Sequence, residues 1–144
     1  MQAVGHVRQA QADDVELLLP VNALMVSEVS GVNPLETDPL GFRLRLMRRI
    51  EQGRVLVWIE RDEVLFTASI VSDTSKVIYI EGVYVSPAHR GKGYGLRCMS
   101  QVSKRLLART RAICGFVNEQ NRPAHAFYRK AGYVSDCCYK KIYV

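Results

Sequence analysis

The stretch from Val83 to Gly95 reads Val-Tyr-Val-Ser-Pro-Ala-His-Arg-Gly-Lys-Gly-Tyr-Gly and decides the fold. It leads from an apolar run typical of a strand, through a proline, into a glycine-rich loop, and apolar residues at helical spacing follow directly. The start of a helix offers unpaired backbone N–H groups that bind anions, and glycines let the backbone approach such a ligand closely. We therefore expect Arg90 to Gly95 to hold a phosphate group, with added positive charge from Arg90 and Lys92.

Taken alone, this loop is equally compatible with a tight turn that only lets a strand and a helix pack together. It lacks the Ser or Thr that follows the lysine in a Walker P-loop. No acidic residue ends a second parallel strand at the spacing of a dinucleotide-binding fold. ATP and NAD are therefore not the favoured ligands.

The periodicity on both sides of the loop predicts a mixed α/β fold, with the order β-α-α-β-β-β-α-β-α-β and helices packed on one sheet. No linker divides the chain, so residues 1–144 are expected to form one domain. The predicted elements begin with an extended start at 4–8, a helix from Asp14 to Val29 broken near Pro20, and a loop from Ser30 to Asp38. A second helix is capped by Asp38 and stopped by Gly53, and its apolar positions are Leu40, Leu44, Met47 and Ile50. Strands follow at 55–60, 64–71 and 77–85, then a helix through 96–107, a strand at 112–117, a short helix at 123–131 and a terminal strand pair.

The chain is basic, with 20 Lys and Arg against 14 Asp and Glu, and such an excess can attract nucleic acid or phosphorylated small molecules. The sequence contains no nucleic-acid-binding motif and no patch of interleaved aromatic residues, so no nucleic-acid partner is expected. Most basic groups, including 43–49, are interpreted as solvated helix surface. The exception is the pair Arg90 and Lys92.

Several further classes of protein are disfavoured. Apolar runs such as 55–59 are far shorter than the roughly 20 residues of a membrane-spanning helix, and the N-terminus has no secretory signal pattern, so a cytoplasmic location without membrane contact is expected. The cysteines show no C-x-x-C pair and the histidines are scattered, so no metal site is expected and the cysteines are interpreted as small apolar residues. These residues are Cys98, Cys114, Cys137, Cys138, His6, His89 and His125.

The segment 83–95 resembles motif A of the GNAT superfamily of N-acyltransferases, whose signature is Arg/Gln-x-x-Gly-x-Gly/Ala. Arg90, Gly93 and Gly95 fill its fixed positions. The later run from Asn118 to Tyr133 resembles motif B of the same superfamily, in which Asn, Ala, Tyr and Gly recur at this spacing. The resemblance implies a GNAT-like acyl-CoA N-acyltransferase fold with a central, mostly antiparallel sheet flanked by helices.

The resemblance also implies the cofactor and the residues that bind it. Acetyl-CoA is the expected acyl donor, held by a strand that splays at a bulge. Carried across, the backbone N–H of Val83 polarises the acyl carbonyl and that of Val85 holds the pantetheine arm. Asn121 resembles the motif B asparagine that hydrogen-bonds the pantetheine. Asn118 could equally cap the end of the preceding strand through a local turn. The expected cofactor-binding residues are Val83, Tyr84, Val85, Arg90, Gly91, Lys92, Gly93, Tyr94, Gly95, Asn121, Ala124 and Tyr128.

Two residues are candidates for acid–base catalysis. Glu81 stands in an otherwise apolar run, and a carboxylate there must be solvated, paired or functional. Partial desolvation would raise the pKa of such a carboxyl and suit it as a general base, and the alternative is an exposed carboxylate on a half-wet strand. Tyr128 occupies the superfamily tyrosine position near the coenzyme sulfur and is the candidate general acid. Its alternative role is aromatic packing, for which Phe127 is the better candidate.

The expected activity is transfer of an acetyl group from acetyl-CoA to the primary amine of a small molecule or peptide. The alternative is a non-catalytic module that senses acyl-CoA. The acceptor stays open, but the segment 30–38 is expected to border its pocket, where Glu36 and Asp38 could attract a cationic amine. Exposed strands near the C-terminus could pair two subunits in a homodimer.

Overall fold

The computed structural model describes residues 7–116, 122–135 and 141–143. Its helices are α1 (Val15–Ser30), α2 (Pro34–Thr37), α3 (Pro39–Glu51), α4 (Tyr94–Leu107) and α5 (Arg122–Lys130). Its strands are β1 (Arg8–Gln9), β2 (Val55–Glu60), β3 (Glu63–Asp73), β4 (Ile78–Val85), β5 (Ile113–Phe116), β6 (Val134–Ser135) and β7 (Lys141–Tyr143). The mixed α/β class is confirmed, and the predicted order of elements agrees with the structure except for the additional short helix α2.

The strands form a sheet with the order β1-β2-β3-β4-β5-β7-β6. Among the described strands, β4 and β5 pair in parallel, and the other neighbours pair antiparallel. Helix α4 makes the crossover that a parallel pair requires. The expectation of a mostly antiparallel sheet flanked by helices is therefore confirmed.

A β-bulge interrupts β4 at the centre of the sheet. Between the pairs Thr67–Tyr84 and Ser69–Glu81, strand β4 carries the two residues Gly82 and Val83 opposite one residue of β3. This is a β-bulge, and Gly82 has the positive φ of 61° that it requires. The described pairs between β4 and β5 run from Ile78 to Ile80 on β4.

Two hydrophobic clusters cover the two faces of the sheet. One contains the buried faces of α4 and α5, including Met99, Val102 and Tyr128, packed on Ile78 and Ile80. The other contains the buried faces of α1 and α3, including Leu18, Phe42, Leu46 and Ile50. The central strands are therefore covered on both sides, and strand β4 forms part of both faces.

The predicted break near Pro20 is wrong. Helix α1 runs through Pro20 without interruption from Val15 to Ser30. Pro20 lies on the exposed side of the helix, so the Glu16 carbonyl, which loses its usual donor, faces solvent and can be hydrated. Burial of Leu18 and Leu19 in the cluster on the other side holds the helix in place.

Two further expectations for the N-terminal part are corrected. The segment predicted as a loop from Ser30 to Asp38 contains the short helix α2, capped by Asn33, whose side chain accepts a hydrogen bond from the Leu35 N–H. Asp38 caps α3 as predicted. The face of α3 is different, however: Leu40 and Leu44 are exposed, and Phe42 and Leu46 are buried together with Ile50. A helix with apolar residues on two sides has an ambiguous buried face in sequence, and packing against α1 selects one of them.

Candidate active site

The glycine loop ends in a helix start that lacks a side-chain cap. Gly91 and Gly93 have positive φ angles of 75° and 82°, and a Cβ at Gly91 would meet no atom within 4 Å. Gly93 is the N-cap of α4, no side chain accepts from the first N–H groups, and the first turn holds no acidic residue. These N–H groups need a partner, and an anion satisfies them. The loop geometry therefore fits a phosphate-bearing cofactor.

Gly95 allows helix α4 to approach β4. A Cβ at this position would lie 2.8 Å from Val85 Cγ2 and 3.0 Å from Phe127 Cε1. Both distances are shorter than carbon atoms tolerate without movement of the neighbours. The third glycine of the loop thus serves close packing of the strand, α4 and α5, whereas the first two set the backbone of the turn.

Arg90 and Lys92 have different environments. Arg90 donates from Nε to the backbone oxygen of Val85 at 2.8 Å, and its guanidinium carbon lies 5.8 Å from the centre of the Tyr84 ring. Lys92 is exposed. Arg90 therefore ties the loop to strand β4, and Lys92 supplies mobile charge.

Two backbone donors of β4 point away from β3. Ser86 donates its N–H to Leu65 O of β3, at 2.9 Å. Because hydrogen-bonding direction alternates along a strand, the N–H groups of Val85 and Val83 point away from β3. They face the side on which β5 lies. The side chains of both valines are half-buried against the α4 cluster.

Glu81 lies at the bulge, on the side of β4 that faces α3. Its side chain is exposed, so the partial desolvation expected from the sequence is absent. The charge that interacts with it is Arg49 of α3, which is half-buried. Burial lowers the pKa of the Arg49 guanidinium, and Glu81 acts in the opposite direction.

Tyr128 is a core residue of α5, only 7% exposed. Its ring contacts those of Phe127 and Tyr133, each with centroids 5.4 Å apart. Burial, with a smaller contribution from Tyr133, raises the pKa of Tyr128 far above its ordinary value. The expectation that Phe127 does the packing instead is wrong, because Phe127 is only half-buried and Tyr128 packs more deeply.

The other motif B residues are placed only in part. Ala124 is half-buried against the α4 cluster, on the side of α5 that faces the sheet. Asn121 and Asn118 lie outside the described residues. The outer side of α5 forms an open, basic cleft of about 330 Å³, lined by Arg122, His125, Ala126 and Arg129.

Arg97 near the start of α4 and the aromatic packing of Tyr94 were not expected from the sequence. The Tyr94 ring contacts Trp58, His89 and Arg97, with the Arg97 guanidinium carbon 5.7 Å from the ring centre. A cation in the first turn of a helix opposes the helix dipole unless an anion binds there. An arginine two residues after Gly95 was therefore a readable sign of an anion site.

Two of the four cysteines lie in the part of the chain that the structure describes. Cys98 and Cys114 are buried, as expected for small apolar residues, and burial raises the pKa of the Cys98 thiol to about 12. Within 7–116, 122–135 and 141–143, no three His, Cys, Asp or Glu side chains gather in a metal-binding arrangement. None of the helices in these ranges combines the length and apolar character of a membrane span.

Comparison with solved structures shows the same fold in several acetyltransferases. A ribosomal-protein-alanine N-acetyltransferase from Brucella melitensis aligns with a TM-score of 0.72 and 18% identity, covering 96% of each chain. An N-acetyltransferase from Staphylococcus aureus Mu50 aligns at 0.71 and 15% identity, covering 96% of this chain and 97% of that one. The PaiA N-acetyltransferase from Thermoplasma acidophilum, solved with coenzyme A, aligns at 0.71 and 15% identity over 96% of each chain.

No curated protein matches the sequence. The sequence model described as "Acetyltransferase (GNAT) family" matches residues 24–133, which includes the glycine loop, the bulged strand and α5. Members of this family are acyltransferases that use acetyl-CoA. With most of its length matched, the chain belongs to the GNAT acetyltransferase family.

Proposed function

We propose that this chain, as a single-domain enzyme, transfers the acetyl group of acetyl-CoA to the primary amine of a small-molecule or peptide acceptor. The observation that carries the proposal is the bulge of β4 beside the uncapped start of α4. A phosphate group at the helix start and an acyl group at the strand edge can be held at the same time. The uncapped helix start lies close to strand N–H groups that point away from β3, so one molecule can contact both.

The backbone holds the donor substrate at two points. N–H groups of the loop and of the first turn of α4 bind the pyrophosphate, with Lys92 and Arg97 nearby as cations. The N–H of Val85 binds the pantetheine arm. The N–H of Val83 donates to the acyl oxygen, where negative charge develops during attack, and a fixed backbone donor of this kind contributes about 3 kcal/mol.

Glu81 removes a proton from the acceptor ammonium so that a neutral amine attacks the acyl carbon. Its exposed position at the bulge supports transfer through a water molecule as well as direct contact. Gly82 next to it leaves open space: a Cβ there would have Met25 Cε as its nearest neighbour, at 3.7 Å. The amine can therefore approach from the side of α1 and α3.

Tyr128 donates its phenolic proton to the departing sulfur. The phenol is protonated throughout the neutral range and therefore carries a proton to donate. The buried rings around it fix its orientation. Asn121 and Ala124 complete the proposed pantetheine site, and a homodimer through the strands near the C-terminus remains a prediction.

The proposal is tested with Glu81→Gln and Tyr128→Phe in a thiol-release assay over a panel of amines, beside calorimetric titration with coenzyme A. We expect each substitution to lower kcat by about 10²-fold or more, with coenzyme A affinity retained. Glu51→Gln, at the exposed end of α3, and Tyr133→Phe, another buried tyrosine, are the matched controls. Unchanged kcat in both variants would contradict the assigned roles.

The rival function, a non-catalytic acyl-CoA sensor, predicts a different result in the same experiment. The parent protein would then bind acetyl-CoA but release no thiol with any amine. Turnover by the parent that disappears in the two variants excludes this alternative.

A further inference from the structure

An arginine-lined cleft lies beside α3 and carries information about the acceptor. It measures about 380 Å³ and is lined by Phe42, Arg45, Arg48, Arg49 and Gln52. Phe42 is buried and forms an apolar floor, and the arginines supply the polar rim. From the sequence, the basic residues of 43–49 were interpreted as solvated helix surface. That interpretation is wrong for Arg49, which is half-buried.

The positive charge of the cleft is only partly balanced within the described residues. Arg45 pairs with Asp38 across 3.5 Å, and both side chains are exposed. No carboxylate in the described ranges lies within 4.0 Å of the Arg48 or Arg49 guanidinium groups. A half-buried guanidinium without a hydrogen-bonded anion is unusual, because removing the charge from water is costly unless a partner replaces the water. An anion bound in the cleft would supply such a partner.

The same arginines exclude the acceptor chemistry expected from Glu36 and Asp38. Asp38 is engaged, since its carboxylate accepts from the Gly41 N–H at 3.1 Å and pairs with Arg45. A polyamine or another polycation would meet three guanidinium groups at this point, and like charges repel. Planar guanidinium groups instead bind carboxylate and phosphate through paired hydrogen bonds.

The cleft adjoins the proposed catalytic base. Arg49 interacts electrostatically with Glu81 and also with Arg45 on the preceding turn of α3. An anionic group held by the arginines therefore belongs to a molecule whose other end can reach Glu81. Asp38 and Glu81 supply two carboxylates against the three arginines, so an anionic group on a ligand would bring the missing negative charge.

We infer that the acceptor is an amine that also bears a carboxylate or phosphate group, and that Arg48 and Arg49, assisted by Arg45, bind this group while the amine lies at Glu81. The inference rests on the proposed function and narrows its acceptor class. Amino acids, acidic peptides and phosphorylated amines share the required chemistry, whereas simple diamines lack it.

The test compares matched acceptors in the thiol-release assay: O-phosphoethanolamine with ethanolamine, β-alanine with its amide, and putrescine as the cationic member. We expect kcat/KM about tenfold or more higher for the anionic member of each pair. Arg49→Gln and Arg48→Gln should abolish this preference and leave the KM for acetyl-CoA unchanged. Arg43→Gln is the control, since Arg43 lies on the same helix but pairs with Glu16 of α1 and does not line the cleft.

Equal kcat/KM for the anionic and neutral members, or a preference that survives both substitutions, would overturn the inference while the proposed function stands. Calorimetric titration with O-phosphoethanolamine separates the two claims further. If no amine is acetylated, the proposed function fails. Binding of O-phosphoethanolamine that is lost in Arg49→Gln and kept in Arg43→Gln would then still establish the cleft as an anion-binding site. Binding that neither substitution changes would show that the anion does not bind in the cleft. Arg48 is exposed, so Arg48→Gln provides a folded variant should Arg49→Gln not fold.

Discussion

Arg90 and Val85 are joined by a hydrogen bond of 2.8 Å from the arginine Nε to the backbone oxygen of the valine. This contact links the loop proposed to hold phosphate to the strand proposed to face the acyl group. The geometry of one end of the site therefore depends on the other. Because Val85 O is occupied by Arg90, the guanidinium has a structural task in addition to its charge.

The first prediction separates this structural task from charge. Arg90→Gln should weaken coenzyme A binding by about tenfold, as loss of a hydrogen bond worth about 1 kcal/mol and of a nearby charge implies. Lys92→Gln should weaken it through charge alone. High salt should therefore erase most of the Lys92 effect and leave much of the Arg90 effect, as measured by calorimetry at two ionic strengths. Equal salt sensitivity of the two variants would contradict the structural role of Arg90.

The second prediction concerns the packing of α4. Gly95→Ala should destabilise the protein by about 1–3 kcal/mol, because the new Cβ overlaps Val85 and Phe127. Gly115→Ala in β5 is the control, since its Cβ would make ordinary contacts of 3.6 Å and 3.8 Å with Ile80. Urea unfolding measures both. A cost for Gly95→Ala no larger than for Gly115→Ala would show that α4 can shift freely.

The third prediction concerns alkaline pH. Burial raises the pKa of Tyr128 above its ordinary value of 10.0, so above that pH the unfolded chain loses a proton that the folded chain keeps. The free energy of unfolding should then fall with rising pH, by up to about 1.4 kcal/mol per pH unit for this group. Tyr128→Phe should remove this part of the slope. Tyr133 and Cys98, whose pKa values burial also raises, should retain the rest.

The fourth prediction concerns acid pH and the start of α1. The Asp14 carboxylate accepts from Arg8 at 2.7 Å and 3.0 Å and from the Gln11 N–H at 2.7 Å. The bonds from Arg8, followed by the Gln11 bond and against the effect of burial, lower the pKa of Asp14. Its stabilising contribution is therefore complete above its ordinary value of 3.8 and is lost as the pH falls through the lower, folded value.

Asp14→Asn should accordingly lower the free energy of unfolding by about 1–3 kcal/mol at neutral pH and flatten its acid dependence. Asp13→Asn, at the exposed neighbouring position, should change neither. Urea titrations at neutral pH and below pH 3.8 provide the comparison. An acid limb that persists unchanged in Asp14→Asn would assign the effect to other carboxylates.

Local patterns were sufficient for much of the fold. The alternation in 55–85 fixed three strands, and the glycines together with the apolar spacing after Gly95 fixed α4, because these signals are contained within a few residues. The resemblance carried by Arg90, Gly93 and Gly95 identified the family. The positions of Pro20 and of the buried face of α3 required knowledge of the partner surface, which no local pattern contains.

The site was harder to read, because its electrostatics depend on residues distant in sequence. Glu81 was expected to be partly buried because its neighbours in sequence are apolar, yet the bulge leaves it exposed. Arg49 was interpreted as solvated surface because its neighbours in sequence are charged, yet it is half-buried and interacts with Glu81 of β4, which is distant in sequence. Burial and pairing of charges are properties of the assembled fold, and composition alone predicts them poorly.

The bulge at Gly82 has an effect on strand parity. Side chains alternate along a strand, so Ile78 and Ile80 share one face, and an unbroken alternation would put Val83 and Val85 on the other. The one additional residue resets the count, so that all four pack toward α4 while Tyr84 packs toward α1 and α3. Regular pairing of every residue, without the bulge, would exchange the two sides of the strand's second half, whereas deletion of Gly82 would keep them. In the regularly paired strand Val83 and Val85 would pack toward α1 and α3, and their backbone N–H groups would turn toward β3.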